Sequence, residues 1–205
     1  MRIVLVRHGE SEYNPLNIIG GDPSLTDKGK EFAANLSRFI SNHSWFPKKC
    51  YCSSKKRVQE TLSVFKEKMN SIVISEYLDE LNAGLCEGLT YTQFYQTYTD
   101  EFTKRYQYKL TYRYPNGESY IDLIDRVKII ADEIKAKGED VFIVGHQAVN
   151  RALLAHFTDE QVENIPHLDI PLHNLIVVEN GKKVGMIGVE IDMNDELILE
   201  SFDFA

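Results

Sequence analysis

The 205-residue chain is short of several things, and each shortage removes a class of protein. It has three cysteines, Cys50, Cys52 and Cys86, which is not the even framework that staples small secreted domains. Cys50-Tyr51-Cys52 alternates in a strand-like stretch, so the two thiols point the same way. No pair of His or Cys stands near them at ligand spacing, and zinc carries little weight. Free thiols fit a cytoplasmic protein. Positive charge is also short. With 23 Lys and Arg against 31 Asp and Glu, the formal net charge is -8, and binders of a nucleic-acid backbone need a basic face. No apolar run approaches a membrane span, and the N-terminus enters a strand directly, without the n-region, h-region or cleavage site of a secretory signal. No Gly-x-x-x-x-Gly-Lys-Ser/Thr occurs, which excludes a P-loop site. Internal repeats and low-complexity tracts are missing too.

What remains reads as one domain, residues 1–205, of ordinary globular composition, 43% hydrophobic and 26% charged. Strands are expected at 3–6, 49–53, 72–74 and 141–144. A hairpin of strands, roughly 173–179 and 183–190, turns at Asn180-Gly181. Between them lie helical stripes. Thr26 caps one carrying Phe32, Ala33, Leu36, Phe39 and Ile40. Arg57 sits near the start of a second, with Val58, Leu62 and Phe65. Gly117 and Ser119 open a third, with Ile121, Ile124, Val127, Ile130, Ala131 and Ile134 on one side. A fourth, after 144, shows Ala148, Val149, Ala152, Leu153 and Phe157. Alternating strands and helices mean an α/β fold, a largely parallel central sheet with helices on both faces. Residues 83–116 break the rhythm. A long excursion of this kind is functional or disordered, and its aromatic content argues for order. It is expected to be a helical lobe capping the carboxyl edge of the sheet. The acidic tail 192–205 is uninformative.

Two strands end in chemistry. Ile3-Val4-Leu5-Val6 breaks into Arg7-His8-Gly9-Glu10-Ser11, so Arg7 and His8 emerge at the carboxyl edge, where open α/β sheets put their ligands. A guanidinium, an imidazole and a glycine that lets a ligand approach the backbone suit an anion, most simply a phosphoryl group. Alone, the doublet is ordinarily just a strand's polar exit. Val141-Phe142-Ile143-Val144 makes it more, because it ends in Gly145-His146-Gln147 and delivers a second histidine to the same edge.

Arg7-His8-Gly9-Glu10-Ser11 with Gly145-His146 resembles the signature of the histidine phosphatase, or phosphoglycerate mutase-like, superfamily. Three longer stretches, Leu78 to Tyr91, Tyr112 to Tyr120 and His146 to Arg151, look like the fructose-2,6-bisphosphatase domain. The likeness runs from about Met1 to about Leu175. It implies a phosphohistidine on His8, with Arg7, Arg57 and His146 around the phosphoryl oxygens and Asn14 as a further donor. It also implies no metal and no cofactor. A neutral imidazole attacks phosphorus well, and its other nitrogen must keep a proton, held by a backbone carbonyl. An alkoxide leaves poorly, so an acid is needed. Glu80, between Leu78 and Leu81, is the leading candidate, with Asp79 competing.

The same resemblance places Tyr91, Arg105, Lys109, Tyr120, Gln147 and Arg151, with Gly21, in the substrate pocket. Arg105, Lys109 and Arg151 would meet a second, non-reacting phosphate, which only a bisphosphate brings. With Arg7, Arg57 and Arg113 they would form a positive focus on an acidic protein, unless all six are scattered surface charges. The expected partner is a small sugar bisphosphate. Open alternatives are a broad sugar-phosphate phosphatase or a phosphoglycerate mutase with the same core, and a catalytically idle binding module.

Overall fold

A computed structural model of the chain describes residues 1–189. The apolar runs become strands β1 (Arg2–Arg7), β2 (Lys49–Cys52), β3 (Ser71–Ile74), β4 (Val141–Gly145), β5 (Asn174–Glu179) and β6 (Lys182–Gly188). The periodic stretches become helices α1 (Asp27–Asn42), α2 (Lys56–Ser63), α3 (Tyr91–Thr97), α4 (Thr99–Gln107), α5 (Tyr120–Lys137) and α6 (Gln147–Thr158). The strands form one sheet in the order β3-β2-β4-β1-β5-β6. The four strands from β3 to β1 are parallel, and β5 and β6 are antiparallel additions. A two-residue hairpin can only join antiparallel strands. Its turn is Asn180-Gly181 as expected, both residues at positive φ (49° and 80°).

Alternation along the strands sorts the core into two faces. Ile3, Leu5, Tyr51, Ile143, Ile176 and Val178 pack under α5 and α6. Val4, Val6, Cys50, Cys52, Phe142, Val144 and Val177 pack against α1 and α2. The two thiols of β2 do share a face. The expected α1 stripe is wholly buried, and the Thr26 hydroxyl caps it by accepting from Gly29 N–H at 3.1 Å.

Three boundaries and faces differ from those expected. Phe65 is buried but lies beyond the last turn of α2. On α5 the buried stripe is Tyr120, Leu123, Val127, Ile130, Ala131 and Ile134. Steps of four and three back from Val127 reach 123 and 120, so Ile121 faces out, 37% exposed. At the sheet edge, β3 leaves Ile72 and Ile74 exposed. The end of the expected 183–190 strand and the tail 192–205 lie outside the described residues.

The excursion is a lobe with its own small core. Ile19, Ala83, Cys86, Phe94, Tyr112 and Tyr114 are buried together, with Leu81, Tyr98 and Phe102 against them. Helices α3 and α4 supply part of it, α3 opening on a capping box between Thr90 and Gln93. The lobe is sewn to the loop after β1 by backbone hydrogen bonds from Ile19 to Leu89 and from Gly88 to Ile19, each at 2.9 Å.

The stripe on α5 gives a direct test. Leu123→Ala removes a fully buried side chain and is expected to cost about 2–5 kcal/mol of unfolding free energy. Ile121→Ala should change it by no more than about 0.5 kcal/mol. Urea denaturation of the two variants measures both.

Candidate active site

Strand register places the two histidines. Arg7 of β1 stands opposite Gly145 of β4, and His8 N–H donates to the Gly145 carbonyl at 3.0 Å. The next residue of each strand therefore emerges beside the other. The rings of His8 and His146 lie 5.2 Å apart, inclined at 59°, and both are buried.

His8 is held in one tautomer. Its Nδ1 is 2.7 Å from the Gly9 carbonyl oxygen, which can only accept, so Nδ1 carries the proton and Nε2 the lone pair. Arg57 Nε–H donates to that lone pair at 3.0 Å. Burial, and then the Arg57 guanidinium, hold His8 well below the ordinary imidazole range, against the opposing pull of the Gly9 hydrogen bond. His146 is depressed in the same way, by burial first, then by Arg57 and His8.

Gly9 is glycine because the loop touches a helix backbone. A Cβ there would lie 2.4 Å from the Gly29 carbonyl oxygen of α1, and one on Gly29 would lie 2.1 Å from the Glu10 carbonyl oxygen. Gly9 N–H also donates to Thr61 Oγ1 of α2 at 2.9 Å. The carbonyl that anchors His8 is thus wedged between two helices.

A cavity of about 440 Å³ opens over His8. Arg7, Asn14, Arg57, Glu80, Tyr91, Arg105, Lys109, Tyr120, Gln147 and Arg151 all line it. Asn14 Oδ1 accepts from Ser11 N–H at 2.8 Å and from its hydroxyl at 2.9 Å, which fixes the side-chain amide with its NH2 as the remaining donor. The Glu80 carboxylate sits at the start of α6, accepting from Gln147 N–H at 3.1 Å, Ala148 N–H at 3.2 Å and Leu81 N–H at 2.9 Å. Asp79, its competitor for the acid role, points elsewhere. It lines a separate cavity and is engaged by Ser53 and Ser54. His146 is fully buried and does not itself line the cavity.

Two residues expected at the pocket sit differently from the rest. Gly21 lines the Asp79 cavity. Its carbonyl accepts from the Arg57 guanidinium at 2.9 Å, and its N–H donates to Glu87 at 2.6 Å. Arg113 leaves the positive focus altogether, exposed and paired with Asp122.

The cations are tethered without being neutralised. Lys109 Nζ donates to the Pro166 carbonyl at 2.7 Å, Arg151 Nε to Leu168 at 2.7 Å and Arg7 to Ile170 at 3.0 Å. Every second carbonyl of one segment, 166–170, thus holds one cation. Arg105 donates to the Tyr114 hydroxyl and lies 5.2 Å over the Tyr91 ring. Arg151 also donates to the Tyr120 hydroxyl at 3.0 Å. Among the described residues, none of Arg7, Arg105, Lys109 or Arg151 forms an ion pair. Burial, with Arg151 and Arg105 nearby, pushes the Lys109 ammonium down to about 8. Burial also pushes Arg7 down to about 10, with Glu80 opposing it. Tyr114 and the carbonyls of 166–170 are site members that the residue pattern does not single out. Tyr114 belongs to the Tyr112 to Tyr120 stretch, whereas main-chain carbonyls leave no mark in residue types.

No group of three or more His, Cys, Asp or Glu among the described residues is placed to hold a metal ion, and no helix there is long and apolar enough to cross a membrane.

This arrangement of a buried neutral imidazole, nearby guanidiniums, a carboxyl group and cations without ion-pair partners is one suited to phosphoryl transfer. The family model described as "Histidine phosphatase superfamily (branch 1)" matches residues 3–187, and the chain belongs to that superfamily. Among curated proteins it is 40% identical over 177 residues to the 6-phosphofructo-2-kinase/fructose-2,6-bisphosphatase of Caenorhabditis elegans. It is 41% identical over 174 residues to 6-phosphofructo-2-kinase/fructose-2,6-bisphosphatase 4 of Homo sapiens. Each alignment takes in 85% of this chain but only 38% and 36% of the relative, so the chain spans well under half the length of these proteins. Solved structures share the fold. The alpha-ribazole phosphatase of Shigella flexneri superposes with a TM-score of 0.78 at 22% identity, covering 87% of this chain and 90% of that one. YhfR of Bacillus stearothermophilus gives 0.75 at 26%, covering 89% and 93%.

The buried neutral histidines set an acid limit on stability. Their folded-state pKa values lie below the unfolded value near 6.5, so below that pH the unfolded chain binds more protons and stability falls as pH drops. Each histidine is expected to contribute a slope of up to about 1.4 kcal/mol per pH unit. Denaturation midpoints between pH 7 and 5 measure it, and His8→Asn should remove about half.

Proposed function

We propose that the chain hydrolyses the 2-phosphate of fructose 2,6-bisphosphate, releasing fructose 6-phosphate and phosphate. The observation that carries this is the division of charge within one cavity. Arg7 and Arg57 flank the nucleophile, and Arg105, Lys109 and Arg151 stand as a second set of cations with no carboxylate partner among the described residues. A monophosphate has no use for the second set. The names of the curated relatives, which include fructose-2,6-bisphosphatase, support the same substrate.

His8 Nε2 attacks phosphorus while Arg7 and Arg57 take up charge on the equatorial oxygens. The bond to the sugar O2 breaks as the Glu80 carboxyl group gives that oxygen its proton. Water then attacks the phosphohistidine, the Glu80 carboxylate takes its proton, and phosphate leaves with His8 restored to the neutral tautomer that the Gly9 carbonyl selects. The second phosphate, held by Arg105, Lys109 and Arg151, orients the sugar for both steps.

Phosphate release from micromolar fructose 2,6-bisphosphate is expected to exceed release from 2,3-bisphosphoglycerate and fructose 1,6-bisphosphate. Equal, slow release from all three would move the chain to the broad-specificity branch. His8→Ala should abolish turnover and phosphoenzyme formation. The second phosphate site has its own signature in pH. Because Lys109 loses its charge near pH 8 in the free protein, kcat/KM for the bisphosphate should fall as pH rises through that value. Lys109→Arg, which stays charged, should move the fall upward. Lys109→Ala should raise KM roughly tenfold for a bisphosphate and leave a monophosphate nearly unchanged.

A further inference from the structure

Asp79 is drawn into a chain of hydrogen bonds that the proposed reaction does not use. The Ser53 hydroxyl, fully buried, donates to Asp79 Oδ1 at 2.6 Å. An ionised carboxylate can only accept, so the single hydroxyl proton is committed to it. Ser53 Oγ also accepts from Lys55 N–H at 3.0 Å. His146 Nε2 lies 2.8 Å from the same oxygen, and with that hydroxyl proton already spent, Nε2 must be the donor. The neutral ring therefore carries its proton on Nε2 and a bare lone pair on Nδ1. That Nδ1 is buried and has no hydrogen-bond partner. Asp79 is fixed in turn by Ser54, whose N–H and hydroxyl both donate to it at 2.9 Å, with Lys55 Nζ at 3.9 Å.

Nδ1 is the ring's one uncommitted nitrogen, and because a bare lone pair repels a phosphoryl oxygen, a ring that meets one there can hold it only after taking a proton on Nδ1. We infer that Asp79, acting through Ser53, is a positioning residue that lets His146 become imidazolium when a phosphoryl group enters, and neutral when it leaves. The charged and titratable groups facing His146 are His8 and Arg7 at the end of β1, Arg57 of α2, Lys55 just before it, and Asp79 through Ser53. With Glu80, whose carboxylate accepts from Gln147 and Ala148 N–H next to the ring, Asp79 is a carboxylate among cationic and neutral groups. Burial and the neighbouring cations keep the ring uncharged, and Asp79 supplies the counter-charge once a dianion outweighs the guanidiniums. The inference rests on the site's holding a phosphoryl group, not on the sugar that carries it.

The test uses the whole chain with 15N-labelled histidine and inorganic phosphate as the probe. In the free wild type, His146 should show a proton on Nε2 alone, and with phosphate bound a proton on both nitrogens. Asp79→Asn keeps an acceptor for Ser53 but removes the charge, and Ser53→Ala breaks the chain. Each should weaken phosphate binding roughly tenfold or more, the scale of a hydrogen bond to a charged group, and leave His146 neutral in the complex. The double variant should be no weaker than either single one, as for links in one chain. An unchanged Nδ1 proton on His8 shows that the site is otherwise intact. Wild-type affinity with a charged His146 in either variant, or losses that multiply in the double, would overturn the inference. A wild type that binds no phosphate would overturn the functional reading and this inference with it.

Discussion

The site hangs on one register, that of β1 against β4. With Arg7 opposite Gly145, the first residues past both strands are histidines at the same edge, close enough for His8 to help hold His146 neutral. A slip of one residue would turn Arg7 and His8 toward opposite faces and bury a guanidinium in the core. The alternation of Val4 and Val6 on one face with Ile3 and Leu5 on the other forbids that slip. Hydrophobic sorting of the sheet, which has nothing to do with phosphate, is what aligns the two histidines.

A second constraint is electrostatic. A protein of net charge -8 must keep a cluster of cations together and still leave them hungry for an anion. Carboxylate partners would hold them and cancel them. Carbonyl oxygens hold them and cancel nothing, because a neutral dipole takes one hydrogen bond and leaves the remaining donors and the net charge free. The segment 166–170 does this for Lys109, Arg151 and Arg7 in turn. The crowding shows in Lys109, whose ammonium is pressed toward neutrality by burial and by its neighbours.

Much of this was legible in the residues. The strand exits at Arg7-His8 and Gly145-His146 marked the site because charged residues directly after a buried run have one place to go. The order of strands and helices pointed to the α/β class, and the tyrosines of 83–116 argued for an ordered lobe. What escaped has physical reasons. The choice between Ile121 and Leu123 on α5 turns on a fraction of a helical turn, which apolar side chains at both positions cannot resolve. Arg113 lies in the Tyr112 to Tyr120 stretch but is exposed and paired with Asp122. Asp79 and Glu80 are adjacent acids, indistinguishable in sequence, and only the backbone decides that one meets the start of α6 and the other meets Ser53. The cradle of carbonyls at 166–170 is made of atoms every residue possesses.

The contact of Gly9 with Gly29 reaches further than local geometry. Surface loops commonly fray well before a domain melts, and enzymes whose chemistry sits on them lose activity on warming while still folded. Here the loop bearing His8 is pinned backbone to backbone against α1, and by Thr61 to α2. It has no room to come loose while those helices stay docked on the sheet. Freeing the loop means displacing a helix backbone, so its opening is tied to the docking of α1 and α2 and not to local fraying.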